Sequence, residues 1–340
     1  MMRFAVVGSG GMGHARATHL AQIPDCRIAV VSSRNAMTGP SLATRFDAKF
    51  VPSWQEAVTR DDVDAVVVAT HNDTHAEIAR AALRAGKHVL VEYPLSTRLD
   101  DADELVDLAT SRKLVLHVGH DQAYVGWHVG IKVAAATLGD LRAVNSVLAT
   151  PTRGGGRSVW RNRRLSGPPF MVGIAYVYHL LDLFGPVEWV EGTSTYDGLD
   201  DMGYYRSSTS TMTACFRSGG VAQLLYIRGF SVPRDEQTQS MMFGKGFLSY
   251  RGYVSGSQTN SGHLTEVTST GSRRLDFPPV TLAQASRQNT EQFVQRLRGE
   301  ADDAGRAMLA REAVAVALAA EQASDQSRRI YLRSSAAVAA

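Results

Sequence analysis

Phe4-Ala-Val-Val-Gly-Ser-Gly-Gly-Met-Gly13 is an apolar strand running into Gly8-x-Gly10-x-x-Gly13, and a helical pattern follows from about Gly11 to Gln22. Gly8 permits a tight turn off the strand, Gly10 lets the backbone approach a pyrophosphate, and Gly13 lets the helix lie close to the sheet. The helix N-terminus then offers an anion its unpaired N–H groups and about half a positive charge. Gly8, Ser9, Gly10, Gly11, Met12 and Gly13 are therefore expected to cradle a dinucleotide. The next strand, Cys26 to Val31, ends in Ser32-Ser33-Arg34-Asn35. An Asp or Glu there would bond the ribose 2′-OH of NAD, whereas an Arg with small hydroxyl residues suits a 2′-phosphate. NADPH is accordingly expected over NAD, with Ser33 and Arg34 at the phosphate.

Outward from this turn, strands and helices alternate. Val63 to Ala69 is almost wholly apolar, as in a parallel strand buried on both faces. An Ala-rich helix from His75 stops near Gly86, a strand covers His88 to Glu92, a helix Leu99 to Ser111 and a strand Leu114 to Gly119. Such alternation predicts a Rossmann-type doubly wound parallel sheet over residues 1–121, with Gly8, Thr70, Glu92 and Gly119 gathered at the strands' carboxyl ends. Beyond it, a helix from Tyr124 to Leu138 precedes period-2 segments rich in Val, Thr, Ser and Tyr, and turn signals separate them. These predict an α+β domain over 122–333 built on a mostly antiparallel sheet. Helices over about 281–297 and 306–326 close that domain, 334–340 forms a frayed tail, and the Arg-rich stretch 153–164 reads as a mobile loop.

Composition narrows the class. The chain has 340 residues, 44% hydrophobic and 20% charged, with a net charge of +3. That balance is ordinary for a globular protein and too weakly basic for nucleic-acid binding. Cys26 and Cys215, far apart in apolar runs, read as buried thiols of a reducing compartment. Met1-Met2-Arg3-Phe4 leads directly into the first strand, and no apolar run approaches a membrane span, so a cytoplasmic location is expected. His117 and His120 lack a carboxylate or thiolate at ligand spacing, so no metal site is expected.

Ala69-Thr-His-Asn-Asp-Thr-His75, Ala81 through Glu92-Tyr-Pro94, and Tyr178-His-Leu-Leu-Asp182 before Phe184-Gly185 resemble the Gfo/Idh/MocA family of NAD(P)-dependent oxidoreductases. The resemblance implies a Rossmann domain, an open-faced C-terminal sheet, and dimers or tetramers built through that sheet. It also implies cofactor contacts from Thr70, His71, Asn72, His75, Glu92 and Tyr93. Sugar-oxidising members use a Lys in Glu-Lys-Pro and an Asp four residues before a His; here those positions are Tyr93 and Ala175, and His179 remains. Losing both groups argues against ordinary sugar dehydrogenation, since acid–base help contributes typically 10²–10⁴-fold. Glu92-Tyr-Pro94, Leu116-His-Val-Gly-His120, Trp160, and Gly271-Ser-Arg-Arg274 look similar to the family's biliverdin reductase branch, although that branch carries Glu where this chain has Gly119.

The expected function is thus an NADPH-dependent reductase of a conjugated C=C or C=N small molecule, bilin-like or an imine. Tyr93 and His179 are its catalytic candidates. Hydride on a conjugated methine leaves charge spread over pyrrole nitrogens, so no alcohol base is needed. Arg157, Arg161, Arg163, Arg164 and Arg228 could pair with substrate carboxylates, and His120, Tyr124, Trp160 and Tyr176 complete the substrate candidates. The alternatives are a sugar or cyclitol dehydrogenase or ketoreductase using His179, and an NADP(H)-sensing regulator without turnover.

Overall fold

The computed structural model describes residues 1–151, 157–230, 235–254, 262–302 and 305–333. They form two compact units, one of Met1–Asp121 with Ser286–Val314, the other of Gln122–Ala285 with the chain from Ala315 onward. In the first, β1 (Met2–Val7), β2 (Cys26–Ser32), β3 (Lys49–Val51), β4 (Ala65–Val68), β5 (His88–Val91) and β6 (Leu116–Val118) make one sheet in the order β3-β2-β1-β4-β5-β6. All five pairings are parallel. This is the dinucleotide-binding strand order, with its switch point between β1 and β4. The crossovers are α1 (Gly11–Ala21), α2 (Thr38–Arg45), α3 (Trp54–Thr59), α4 (His75–Arg84) and α5 (Leu99–Ser111). β4, Ala-Val-Val-Val, is buried along its length, as its unbroken apolar run predicts.

In the second unit, β7 (Leu141–Pro151), β8 (Val187–Asp197), β9 (Ser207–Phe216), β10 (Val221–Phe230), β11 (Asp235–Phe243), β12 (Phe247–Val254), β13 (His263–Thr268), β14 (Gly271–Leu275) and β15 (Ile330–Tyr331) form a nine-stranded sheet. Its order is β14-β13-β12-β11-β7-β10-β9-β8-β15, antiparallel except where β7 meets β10. The helices here are α6 (Gly126–Leu138), α7 (Arg163–Ser166), α8 (Pro169–Val172) and α9 (Ile174–Phe184). One sheet face buries Val144, Leu148, Met212, Ala214, Leu224 and Met241. On the other face the register aligns Trp189, Cys215, Val221, Ala143, Met242, Phe247 and Val267 in a single row.

Several expectations are corrected. α10 (Leu282–Leu297) and the first part of α11 (Arg306–Gln326) were expected in the second domain, yet Ser286–Val314 belongs to the first unit. The reason is burial: Phe293 and Val294 pack in one cluster with Phe4, Val6, Leu20 and Ile28. Residues 157–164 are ordered turns rather than a loop. Val159–Arg161 forms a 3₁₀ turn, and Asn162 caps α7 by accepting the Arg164 and Leu165 N–H groups at 2.9 and 3.1 Å. Cys26 and Cys215 are half-buried, not buried. Arg153 and the expected tail lie outside the described residues, and none of the described helices is long and apolar enough to cross a membrane.

Candidate active site

The glycine loop is fixed by two backbone collisions waiting to happen. Gly8 sits at φ +112°, and a Cβ there would lie 2.1 Å from the Ala69 carbonyl oxygen. A Cβ on Gly13 would lie 2.1 Å from the Gly8 carbonyl oxygen. Gly10 and Gly11 differ: nothing stands within 4 Å of their Cβ positions, and no side chain caps α1 at Gly10. Open space before uncapped helix N–H groups is what a pyrophosphate requires. Met12 is partly exposed beside it.

At the end of β2, the Ser9 hydroxyl contacts Ser33 Oγ at 2.7 Å and Thr38 Oγ1 at 2.6 Å. Three hydroxyls joined by two links use two of their three protons and leave one free to donate outside the cluster. Asn35 Oδ1 accepts the N–H groups of Met37 and Thr38 at 2.9 and 3.0 Å and so starts α2. Arg34 is exposed. No Asp or Glu occurs between Asp25 and Asp47. The sequence reading found Ser33 and Arg34 but missed Thr38 and Asn35, whose turn-and-cap spacing is the signal that would have shown them.

At the carboxyl ends of β4 and β5, a buried His75 ties the chain together. Its Nδ1 lies 2.7 Å from the Pro94 carbonyl and its Nε2 3.2 Å from that of Thr70. Burial lowers its pKa, so the ring is neutral and donates to one carbonyl, the nearer Pro94. Thr74 donates to Thr70 Oγ1 at 2.8 Å, Asn72 is buried in a 3₁₀ turn, and His71 is exposed. His75 and Asn72 thus shape the turn. The Tyr93–Pro94 bond is cis, and the Tyr93 ring stacks on His120 at 5.4 Å and 12°. Burial holds His120 near 3, neutral at any working pH.

Glu92 does not stand free for a ribose. Arg16, on α1 and fully buried, donates from Nε to Glu92 Oε1 at 2.6 Å and from Nη2 to Asp121 Oδ1 at 2.9 Å. Its Nη1 reaches the Ser286 carbonyl at 2.8 Å and Thr290 Oγ1 at 3.0 Å. Gly119 makes room for this pair, because a Cβ there would meet Arg16 Nη2 at 2.7 Å and Glu92 Oε2 at 2.8 Å. The departure from the branch pattern at this position therefore has a steric reason.

Burial pushes Asp121 up to about 6, opposed by Arg16 and reinforced by Glu92. Its folded value lies above the ordinary 3.8. The associated stability is full below about pH 4 and is lost as pH rises through about 6. Asp121→Asn is expected to flatten the pH dependence of stability between these limits, a span on the order of 3 kcal/mol. Urea midpoints measured at pH 4, 5, 6 and 7 for both proteins check this, and identical slopes would disprove it.

In the second unit, the expected catalytic His179 is fully buried on α9 and engaged at both nitrogens: Nδ1 lies 2.5 Å from His128 Nδ1, and Nε2 lies 3.1 Å from Gln239 Oε1. His128 on α6 was not foreseen, since nothing local marks a partner 51 residues away. The expected arginine cradle does not assemble. Arg157 pairs with Asp200 at 2.8 Å and lies over Tyr204. Arg161 donates to the Arg206 carbonyl at 3.0 Å, and Arg163 pairs with Glu321 over the Tyr196 ring. Arg228 stands apart on β10, its Nη1 donating to Tyr226 Oη at 3.0 Å while its buried Nε has no hydrogen-bond partner among the described residues. Tyr176 lines a small cavity with Tyr226 and Ser146. Tyr124 is half-buried and Trp160 is half-exposed.

A βαβ sheet switching at β1 and β4, with a glycine loop open to an anion, is a dinucleotide-binding fold. Residues 2–120 match the Gfo/Idh/MocA family model, described as oxidoreductase family, NAD-binding Rossmann fold. It is 30% identical over 188 residues to a dTDP-3,4-didehydro-2,6-dideoxy-α-D-glucose 3-reductase of Streptomyces antibioticus, covering 54% of this chain and 57% of that one. It is 36% identical over 140 residues to a 4-carboxy-2-hydroxymuconate-6-semialdehyde dehydrogenase of a Sphingobium species, covering 40% and 44%. The chain thus spans about half the length of these curated relatives. The fold matches biliverdin reductase of Synechocystis, solved with biliverdin and NADP⁺, at a TM-score of 0.85 and 22% identity over 95% of this chain and 98% of that one.

Proposed function

We propose that this protein is an NADPH-dependent reductase that adds hydride to a conjugated C=C or C=N bond of a small molecule, bilin-like or an imine. The observation that carries the reading is the end of β2, where Ser9, Ser33 and Thr38 leave one hydroxyl proton to donate, Arg34 is exposed, and no acid lies between Asp25 and Asp47. A 2′-phosphate suits that donor set and a bare 2′-OH does not. A bound nicotinamide would supply the hydride, and Gly10, Gly11 and the first turn of α1 would hold the cofactor's pyrophosphate.

Tyr93 at the lysine position and a buried Ala175 at the aspartate position leave no strong base for an alcohol, which favours reduction of a polarised double bond. The Tyr93 hydroxyl offers one O–H that can donate to a substrate. The resemblance of fold to biliverdin reductase supports a bilin as first substrate to try. The row from Trp189 to Val267 on one face of the nine-stranded sheet supports association of copies through that face.

Arg34→Glu is expected to lower the ratio of kcat/KM for NADPH over NADH about 100-fold, since it removes charge-assisted bonds worth about 1.5–3 kcal/mol. An unchanged ratio removes the phosphate reading. The substrate is tested by following NADPH and biliverdin absorbance together; equal rates support a bilin, and no change with NADPH bound excludes it. The sugar-nucleotide 3-reductase among the relatives favours a keto-sugar as second substrate, with loss of activity in His179→Ala as its mark.

A further inference from the structure

Behind His179 lies a run of polar groups that grows more exposed step by step. His179 Nδ1 meets His128 Nδ1 at 2.5 Å, His128 Nε2 meets Asp182 Oδ2 at 2.7 Å, and Lys132 Nζ reaches the same oxygen at 2.9 Å. Side-chain exposure rises from 1% at His128 to 13% at Asp182 and 52% at Lys132. Trp127 seals the His179 ring edge-on at 4.7 Å and stacks on Tyr250, whose phenol burial keeps un-ionised. Asp182, Lys132, the two imidazoles and the Gln239 amide are thus the groups that set the protons here.

Proton counting allows two arrangements. In the neutral one, His128 donates from Nε2–H to Asp182 and accepts at Nδ1 from the His179 Nδ1–H. His179 Nε2 is then bare, and Gln239 must turn its NH₂ toward it. In the other, one more proton is present. His179 carries it on Nε2 and donates to Gln239 Oε1, the contact seen at 3.1 Å. His179 Nδ1 is then bare, and its former proton sits on His128, a cation against the Asp182 carboxylate. Burial first, and then the neighbouring His128 and Lys132 charges, hold His179 well below the usual histidine range, so the His179 ring is a poor place for the charge. His128, bonded to Asp182, is a better one.

We infer that Asp182 and His128 are positioning residues forming a one-proton store behind His179, so that a proton taken up at His179 Nε2 is held as a His128⁺–Asp182⁻ pair. The bookkeeping balances. Uptake forms the His179 Nε2–H bond while the Nδ1–H bond breaks and His128 Nδ1–H forms; release runs in reverse, each N–H electron pair staying on its nitrogen. A role for the store in turnover rests on the reductase reading, but the store is observable without turnover.

The test is ¹⁵N-histidine NMR of the full-length protein across its folded pH range, with rings assigned through His128→Gln and His179→Gln. As pH falls, His128 is expected to become doubly protonated while His179 switches from Nδ1–H to Nε2–H at the same midpoint. Lys132→Met, a surface change that removes a repelling cation, is expected to raise that midpoint, and Asp182→Asn to lower it by more than a unit. A His179 tautomer that stays the same while His128 titrates, or a midpoint blind to both substitutions, overturns the store. With a substrate in hand, kcat is expected to follow this midpoint while KM does not. A kcat profile indifferent to it would leave the NMR result standing and end the catalytic reading of His179.

Discussion

Arg16→Leu is expected to destabilise the protein by about 3–5 kcal/mol, because it strands two carboxylates that share one buried guanidinium. Arg16 makes four bonds, to Glu92, Asp121, the Ser286 carbonyl and Thr290. Leucine supplies the volume and none of the donors. Part of the loss is relieved by protonating Asp121, already pushed up by burial, so the defect is expected to be larger at pH 8 than at pH 5. Removing all three charges together, as Arg16→Met with Glu92→Gln and Asp121→Asn, is expected to recover much of the stability, since similar-sized neutral replacements of buried ion pairs are often tolerated. Urea unfolding followed by circular dichroism measures both proteins. A single substitution costing under 1 kcal/mol would sink the claim that this arginine holds the first unit.

The second large effect is expected at Gly13, in contrast with Gly10. Gly13→Ala places a methyl 2.1 Å from the Gly8 carbonyl oxygen, and Gly8 has nowhere to go. Its own N–H is held by the Ser32 carbonyl at 2.8 Å, and its Cα faces the Ala69 carbonyl. α1 must therefore lift from the sheet, carrying Arg16 with it. NADPH affinity is expected to fall at least 100-fold, with a stability loss of about 1–3 kcal/mol, the usual range for overpacking. Gly10→Ala meets no protein atom within 4 Å, so stability is expected to stay within about 1 kcal/mol while NADPH binding weakens at least tenfold. Calorimetric titration with NADPH, paired with thermal melts, separates the two. Equal affinity for wild type and Gly10→Ala would mean that the open space is not the pyrophosphate's.

These two sites also mark what a sequence can and cannot disclose. Gly8, Gly10 and Gly13 are legible because their spacing answers a purely local problem, a turn and a close approach within one βα unit. β4 is legible because an unbroken apolar run admits few alternatives. Arg16 is not legible: on a helix of mixed polarity it reads as a solvent-facing cation, and its partners lie 76, 105, 270 and 274 residues away. The same distance hides His128, which looks like one more residue of an apolar helix until α9 brings His179 and Asp182 against it. The arginines misled for the opposite reason. Their clustering along the chain suggested one anion site, but each finds its own acid, carbonyl or ring once the strands around residues 197–206 and α11 are in place. β14 and β15 were missed because short edge strands carry weak patterns, and β13, paired between β14 and β12, is only six residues long.

The return of residues 286–314 to the first unit has a consequence for how the protein is born. A ribosome delivers the Rossmann strands early, yet the hydroxyl that completes the Arg16 site belongs to Thr290, 274 residues downstream. At about 5–20 residues per second that is a wait of roughly 15–55 s. Through that interval the nascent first unit carries an unfinished charge site and an uncovered apolar patch where Phe293 and Val294 will sit. The second unit's long sheet must form inside the same window, from chain that is tethered at one end only. Final closure of the cofactor-binding half is thus among the last events of synthesis, although its signature is among the first residues made.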